Sequence, residues 1–389
     1  MIQNIDLAVV GAGPAGSSAA QAAAEAGLSV WLIDKKKEIG SPVQCGGFLP
    51  EAEELEKLLP SARLPQCLAD IPERIILCRT SMQRIYSPSG SFKEFSVAGR
   101  VIDRRAFDRH LAHRAAIAGA RILPATRARL AEGQLQLSGR FGGLAQPKVI
   151  IGADGPHSTV SRAMGNPVQE TGICLEYEMV DVDIDPRAAE MYFSARYAPG
   201  GYAWIIPLGR DSANVGVGVR ASYLSGEKLP QILDCFIAHH PLAREKLAGG
   251  EAVAVMRGAV PAGGSPSAIM KDNLLLAGDA AGQVMTTSGG GIPLAIVGGW
   301  IAGQAAAAYL RGEQRLEDYP SRINREFGIQ LSRSVQIRKM VDLAMKSDRL
   351  MNSLFSALSP AQMKSVMRAQ IPEIIRSREW TGDKQDRQS

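Results

Sequence analysis

The chain has 389 residues, 46% of them hydrophobic, with 44 Lys+Arg against 39 Asp+Glu for a net charge of +5. This globular composition excludes a disordered or fibrous protein, and so small a net charge gives no basis for a nucleic-acid partner. Five scattered cysteines with no CxxC pair argue against a disulfide framework, a zinc site or an iron–sulfur cluster, so no metal is expected; with no signal-peptide pattern, they point to a reducing cytoplasm.

Ile5 to Val10 is a short apolar run ending at Gly11, an alanine-rich helix pattern follows to Gly27, and Ser29 to Ile33 is a second apolar run: strand, helix, strand. A helix is expected at Glu51 to Leu59, with strands near Arg74 to Cys78 and Phe92 to Val97. Arg104 to Gly119 reads as a helix with Phe107, Leu111, Ala115 and Ala118 on one face. Two hairpin-like strands lead to Val149 to Ile151 and the turn Gly152-Ala-Asp154-Gly155. Strand patterns at 173–182, 190–197, 202–207, 213–220 and 251–260 then outnumber one helix near 229–239, the mark of an antiparallel sheet inserted into an α/β domain. Alternation returns with Asn273 to Ala277. Ala280 to Leu310 carries no charge and is long enough to span a bilayer, but its glycines, Pro293 and polar start make it a buried helix behind a ligand loop. Tyr319 to Trp380 is helical in pattern and carries five methionines, and from Arg311 to the end there are 15 Lys/Arg against 10 Asp/Glu. Such a basic region suits either a solvated helical face or the surface of an anionic membrane.

The expected architecture is therefore α/β. A Rossmann-type domain is assembled from 1–165 and 266–315, with 42–100 partly contributing to the substrate site. A mostly antiparallel β-sheet substrate domain spans 166–265, and a C-terminal helical region spans 316–389.

Gly11-Ala-Gly13-Pro-Ala-Gly16 follows the first strand and opens the first helix, and Asp34 closes the second strand. The first glycine permits the turn, the second admits a pyrophosphate, the third lets helix and strand pack, and Asp34 is placed to accept from ribose hydroxyls. Gly278-Asp279-Ala-Ala-Gly282, before Gly289-Gly290-Gly291, is a second strand–turn–helix junction. Two such junctions suit a long ligand such as FAD: Asp279 would hold the ribityl chain, and the helix after Gly291 would stabilise negative charge on the flavin.

GAGPAG, the Arg104 helix start, Gly152-Ala-Asp154-Gly155 and Gly278-Asp279 together resemble flavoproteins of the p-hydroxybenzoate hydroxylase fold. Pro42-Val43-Gln44-Cys45-Gly46-Gly47 and Pro199-Gly-Gly-Tyr202-Ala-Trp204-Ile-Ile206-Pro207 narrow the match, being similar to the PVxCGxG and PxxYxWxFP motifs of the geranylgeranyl reductase family. The similarity covers about residues 1 to 310. It departs from the family pattern at Ile206 in place of phenylalanine, at Met285-Thr286 in place of Asn-Pro, and at CGG in place of CGE.

The resemblance implies hydride transfer from reduced FAD to isolated double bonds of a prenyl lipid or other isoprenoid. It adds Ala15, Cys45, Gly46, Arg104, Asp154, Gly290 and Ile292 to the cofactor contacts, makes Cys45 the candidate catalytic residue, and places Tyr202, Trp204, Ile206 and Pro207 in the substrate pocket. On the residues alone, Cys45 reads as a buried small side chain and Tyr202 and Trp204 read as sheet core, and Arg105 competes with Arg104. The C-terminal helices are expected to cap an apolar tunnel and to rest peripherally on the inner face of the membrane. No second GxGxxG marks a nicotinamide domain, so ferredoxin, a dissociating NAD(P)H or another reductant remains open as electron donor. A flavin monooxygenase or halogenase on the same fold, or a quinone-linked electron-transfer flavoprotein, is the competing reading.

Overall fold

The computed structural model describes residues 2–131, 134–224 and 226–370. Two sheets organise it. In the first, strands Leu274–Leu276, Gly143–Gly152, Ile2–Val10, Val30–Ile33 and Arg121–Leu123 lie side by side in that order, all parallel. Their near-continuous apolar sequences follow from burial on both faces. Leu7, Val9, Leu32, Val149, Ile151 and Leu275 meet the helices on one side, while Ala8, Val10, Trp31, Ile33 and Ile150 pack on the other. The hairpin Thr126–Ala131 and Gln134–Gly139 extends this sheet through Gly143–Gly152.

Helix Pro14–Glu25 lies against helix Ile292–Leu310, and small residues set how close they come. A Cβ on Gly299 would stand 2.0 Å from the Ala15 carbonyl oxygen, and one on Gly303 would stand 2.3 Å from that of Ala19. Ser18 Oγ also donates to the Ile296 carbonyl at 2.8 Å. This approach brings the N-termini of two helices toward one place. Ile292–Leu310 is long and apolar enough to cross a membrane, but 83% of that window is buried inside the protein, as expected of a core helix. It begins at Ile292, leaving 280–291 to the turn before it.

The second sheet has eight strands, in the order Glu251–Pro261, Thr171–Val180, Ser212–Arg220, Tyr202–Pro207, Ala188–Tyr192, Ile76–Tyr86, Phe92–Ile102 and Phe48–Pro50. All pairs are antiparallel except Ala188–Tyr192 with Ile76–Tyr86. Three strands thus come from 48–102, so the sheet extends well beyond 166–265. The strand expected from Arg74 begins instead at Ile76, after a 3-10 turn at Glu73–Ile75, and it and the strand expected at 92–97 run far longer because their polar residues neutralise one another: Arg84 faces Glu94 across the hairpin and also binds Asp185 at 2.9 Å. The strand expected at 190–197 stops at Tyr192.

Alternation divides this sheet. Leu175, Ala203, Ile205, Val215 and Val217 pack under helix Leu229–His239 through Leu233 and Phe236. The opposite face, with Cys174, Glu176, Tyr202, Trp204 and Ile206, borders a cavity. Helices Ile329–Ala344, Asp348–Ala357 and Pro360–Met367 roof it, anchored by Met351, Phe355, Met363 and Met367 against Ile85, Met191 and Phe193. The helical reading of 319–380 is met as far as residue 367, with breaks at Ser347 and at Leu358-Ser359; its end at Trp380 lies outside the described residues.

Candidate active site

The first junction is shaped by three glycines with different surroundings. Gly11 adopts φ +102° with the Ala153 carbonyl oxygen 2.3 Å from where its Cβ would be, and a Cβ on Gly16 would stand 1.8 Å from the Gly11 oxygen. Beside Gly13 there is open space: nothing lies within 4 Å of the Cβ position. No side chain caps this helix end, so its leading N–H groups are free for an anion. Asp34 Oδ2 accepts from Ala12 N at 2.7 Å and Oδ1 from Lys36 N at 2.8 Å, which fixes the carboxylate and leaves a further lone pair on each oxygen.

At the second junction, Gln283 Oε1 accepts from Gly278 N at 2.7 Å, and a Cβ on Gly291 would lie 3.5 Å from Asp279 Oδ1. Asp279 therefore faces the start of helix Ile292–Leu310, another helix end without a side-chain cap. Burial pushes its carboxyl up to about 6, although Arg104 pulls the other way. Among the described residues its carboxyl has no hydrogen-bond donor, as expected of a group placed for a ligand. Open backbone at Gly13, an anchored acid at Asp34 and this acid beside a helix start fit the two ends of FAD.

Arg104 begins helix Arg104–Ile117 and binds Asp108 through Nη2 at 3.0 Å. Its guanidinium also lies against the Cys45 sulfur; burial disfavours the charge, but Asp108 and Cys45 outweigh that and hold it firmly protonated. Arg105 is more exposed and sits near Glu38, which decides between the two arginines in favour of Arg104 for the interior. Asp154 is turned elsewhere: it accepts from Ser158 Oγ at 2.5 Å, Thr159 N at 2.6 Å and Thr159 Oγ1 at 2.8 Å. Its carboxylate builds the turn into helix Thr159–Ala163, so what reaches the first junction is backbone, of Ala153 and of Asp154 itself, packed on Gly11.

A cavity of about 650 Å³ opens beside the second junction and the Cys45 loop, and its wall includes none of Gly11, Gly13, Asp34, Arg104 or Asp279. Cys45, Gly46 and Gly289 to Ile292 line it near the junctions, the sheet supplies Cys174, Glu176, Tyr202, Trp204 and Ile206, and all five C-terminal methionines line the far part. Pro207 is not on its wall: strand alternation turns it with Ala203 and Ile205 toward the opposite core. Tyr202 donates to the Ser288 carbonyl at 2.5 Å, and its ring meets Trp204 edge-on at 5.9 Å. The loop carrying Cys45 lies directly on the sheet, where a Cβ on Gly46 would come 2.8 Å from Ile206 Cδ1 and 3.1 Å from Asn214 Oδ1. Gly258 gives it room beside Gln44. Gly47 N donates to the Cys45 sulfur at 3.4 Å.

Sequence reasoning missed Glu176 and Asn214. Trp204 Nε1 donates to Asn214 Oδ1 at 2.7 Å, the Asn214 amide neighbours Glu176 and favours its charged form, and Glu176 Oε2 is buried without a partner. Burial pushes this carboxyl up to about 7, with Asn214 and Arg104 opposing the shift. An acid whose folded value lies above its unfolded one stabilises the fold most at low pH and loses that contribution as pH rises through the folded value. The apoprotein should therefore gain thermal stability as pH falls from about 8 to about 6.5, and Glu176→Gln should flatten that slope in a calorimetric pH series. An unchanged slope would mean that the carboxyl is ionised throughout.

With this geometry in place, comparison with known proteins is direct. A family model for the geranylgeranyl reductase catalytic domain matches residues 170–260, and one for FAD-dependent oxidoreductases matches residues 6–50. A digeranylgeranylglycerophospholipid reductase of Methanopyrus kandleri is 37% identical over 91% of this chain and 90% of its own length. The protein of that name from Methanocaldococcus jannaschii is 35% identical over the same shares. The crystal structure of a geranylgeranyl bacteriochlorophyll reductase-like protein from Thermoplasma acidophilum superposes with a TM-score of 0.83 at 28% identity, covering 97% of this chain and 99% of that one. The halogenase CndH shares the fold at 20% identity and a TM-score of 0.69, over 86% of this chain and 81% of that one. By sequence and by fold, the chain belongs to the geranylgeranyl reductase family of FAD-dependent oxidoreductases.

Proposed function

We propose that this chain saturates isolated carbon–carbon double bonds in the geranylgeranyl chains of archaeal-type ether-lipid precursors. The observation that carries the reading is the cavity, apolar and methionine-roofed, which runs from the Cys45 loop and the Gly289 to Ile292 turn to the helices beyond residue 329. A long branched hydrocarbon needs such an adaptable lining.

FAD would be held by Gly11, Gly13, Ala15 and Gly16 at its pyrophosphate, by Asp34 at a ribose, and by Asp279 with Gly290, Gly291 and Ile292 at its other end. Once reduced by an external donor such as ferredoxin or NAD(P)H, bound FAD supplies a hydride. The chain does the rest. An isolated alkene has no activating group, so rate depends on holding it in a reactive pose and on excluding water. Tyr202, Trp204 and Ile206 form the wall that holds the chain, and Cys45 orients the reacting bond. The test is anaerobic: reduced enzyme mixed with geranylgeranyl lipid should reoxidise while the lipid gains two hydrogens for each bond saturated. Enzyme that stays reduced with every prenyl lipid, yet reacts with oxygen in the presence of another substrate, would overturn the assignment in favour of a monooxygenase.

The substrate must also leave a bilayer. Met340, Leu343 and Leu350 line the cavity yet are 38%, 64% and 52% exposed, and exposed Lys339, Lys346 and Arg349 flank them. Apolar side chains at a cavity mouth among cations fit the cytoplasmic surface of an anionic membrane. Leu343→Glu with Leu350→Glu should abolish co-sedimentation with anionic vesicles while a short-chain, detergent-solubilised prenyl substrate is still reduced. Undiminished sedimentation would place the contact elsewhere.

A further inference from the structure

We propose that Glu176 is the acid that protonates the prenyl double bond, an inference that rests on the reductase reading above. Saturation places a hydride on one alkene carbon and a proton on the other, and in a cavity that excludes water the proton needs a source on the chain.

Four proton-bearing groups cluster at this part of the cavity: Cys45, Cys174, Glu176 and Tyr202. Two of these are poorly suited to give a proton up, and Cys45, whose sulfur receives the Gly47 N–H beside the Arg104 guanidinium, has the orienting role given above. Tyr202 has its hydroxyl hydrogen committed to the Ser288 carbonyl, and burial pushes its ionisation well above the usual range. Burial likewise pushes the Cys174 thiol up to about 12, beyond useful acidity.

Glu176 differs through a chain of fixed hydrogen bonds. The Trp204 indole can only donate, so Asn214 must present Oδ1 to it, and this turns the Asn214 amide NH₂ toward Glu176. Asn214 thus favours the charged form from one side of the carboxyl. On the other, Oε2 is buried with no partner, although the residue lines the cavity. An ionised oxygen left so would be costly, whereas a protonated one can present its O–H to the π electrons of an alkene held in the cavity. The backbone clears space for this: Glu176 is paired with Gly216, where a Cβ would come 2.3 Å from the Trp204 ring and 2.8 Å from the Glu176 Cβ.

The step balances. The carboxyl O–H bond breaks and leaves its pair on oxygen, the π pair of the alkene forms the C–H bond to that proton, and the hydride brings the pair for the C–H bond on the other carbon. The resulting carboxylate sits in the field of Arg104, which favours its charged form, and it regains a proton from water when product leaves. Burial keeps the proton in place beforehand, and Arg104 lowers the barrier to its loss.

The experiment compares wild type, Glu176→Gln and Glu176→Asp as FAD-loaded enzymes. Infrared difference spectra of the oxidised wild type between acid and neutral pH should show a carboxylic-acid C=O band that shifts in D₂O and is missing from Glu176→Gln. Single-turnover oxidation of reduced enzyme by geranylgeranyl lipid should slow about 100-fold or more in Glu176→Gln, lose its fall at alkaline pH, and recover in part in Glu176→Asp, with lipid affinity little changed. A wild type that saturates lipid alongside an equally fast Glu176→Gln overturns this proposal and leaves the reductase reading intact. A wild type that saturates no prenyl lipid overturns both. Should Glu176→Gln fail to fold, a wild-type spectrum without the acid band, or an unaltered pH profile in Glu176→Asp, overturns it alone.

Discussion

Gly16→Ala is expected to yield a nearly colourless protein, with FAD retention reduced at least tenfold relative to wild type. The added methyl would stand 1.8 Å from the Gly11 carbonyl oxygen, 3.0 Å from its carbon and 3.2 Å from the Ala153 Cβ. The obstacle is backbone, which a rotamer change cannot relieve. Gly11 cannot yield, because its φ of +102° and the Ala153 carbonyl already confine it. The helix start must therefore withdraw, at a cost of about 1–3 kcal/mol, taking its N–H groups away from the phosphates. Gly13→Ala separates packing from binding. Its methyl enters open space, so thermal stability of the apoprotein should stay at the wild-type value while FAD affinity falls. Equal FAD retention in both variants and wild type, read from the visible spectrum after gel filtration, would show that the pyrophosphate does not lie at this turn.

The contrast between these glycines shows what was legible in the sequence. Spacing of Gly11, Gly13 and Gly16 after an apolar run is local information, and the structure builds the strand–turn–helix junction where that pattern placed it. The same holds for Gly278 to Gly291, whose turn and helix follow one another along the chain. Pairings over long distances were less visible. Nothing local tells that Arg84 is neutralised by Glu94 and Asp185, so the strands through 76–86 and 92–102 looked shorter than they are. Pro207 was assigned with its motif, although simple alternation from Tyr202 turns it away from the cavity.

Glu176 shows the limit most clearly. Cys174, Glu176 and Glu178 share one face of strand Thr171–Val180, and alternation treats the two acids alike. What distinguishes Glu176 is the Asn214–Trp204 bond, built from a neighbouring strand, and the loop at 44–46, which reaches the same sheet from some 130 residues away. No motif falls on this strand or on the two strands paired with it, so the sequence carries no signal that singles Glu176 out. Cys45 was legible through family resemblance alone, since a single cysteine in a loop carries no chemistry by composition.

Cys45→Ser tests whether that resemblance extends to chemistry. The side chain lines the cavity, receives the Gly47 N–H at 3.4 Å, and has the Arg104 guanidinium against it. Serine keeps the shape and the hydrogen bonds but is smaller and harder, so folding and FAD binding should persist. The reacting bond, however, loses the large polarisable atom that packs against it, and a misplaced alkene with no activating group forfeits the orientation on which the rate depends. The single-turnover rate with geranylgeranyl lipid is expected to fall about 100-fold, with spectrum and cofactor content unchanged. Cys45→Ala should fall as far or further, because it also leaves the Gly47 N–H and Arg104 without their acceptor. Deuterium from D₂O should still appear on the slowly formed product, since the proton comes from another group. A Cys45→Ser enzyme with wild-type turnover would reduce Cys45 to a packing residue and leave the wall of Tyr202, Trp204 and Ile206 to orient the chain.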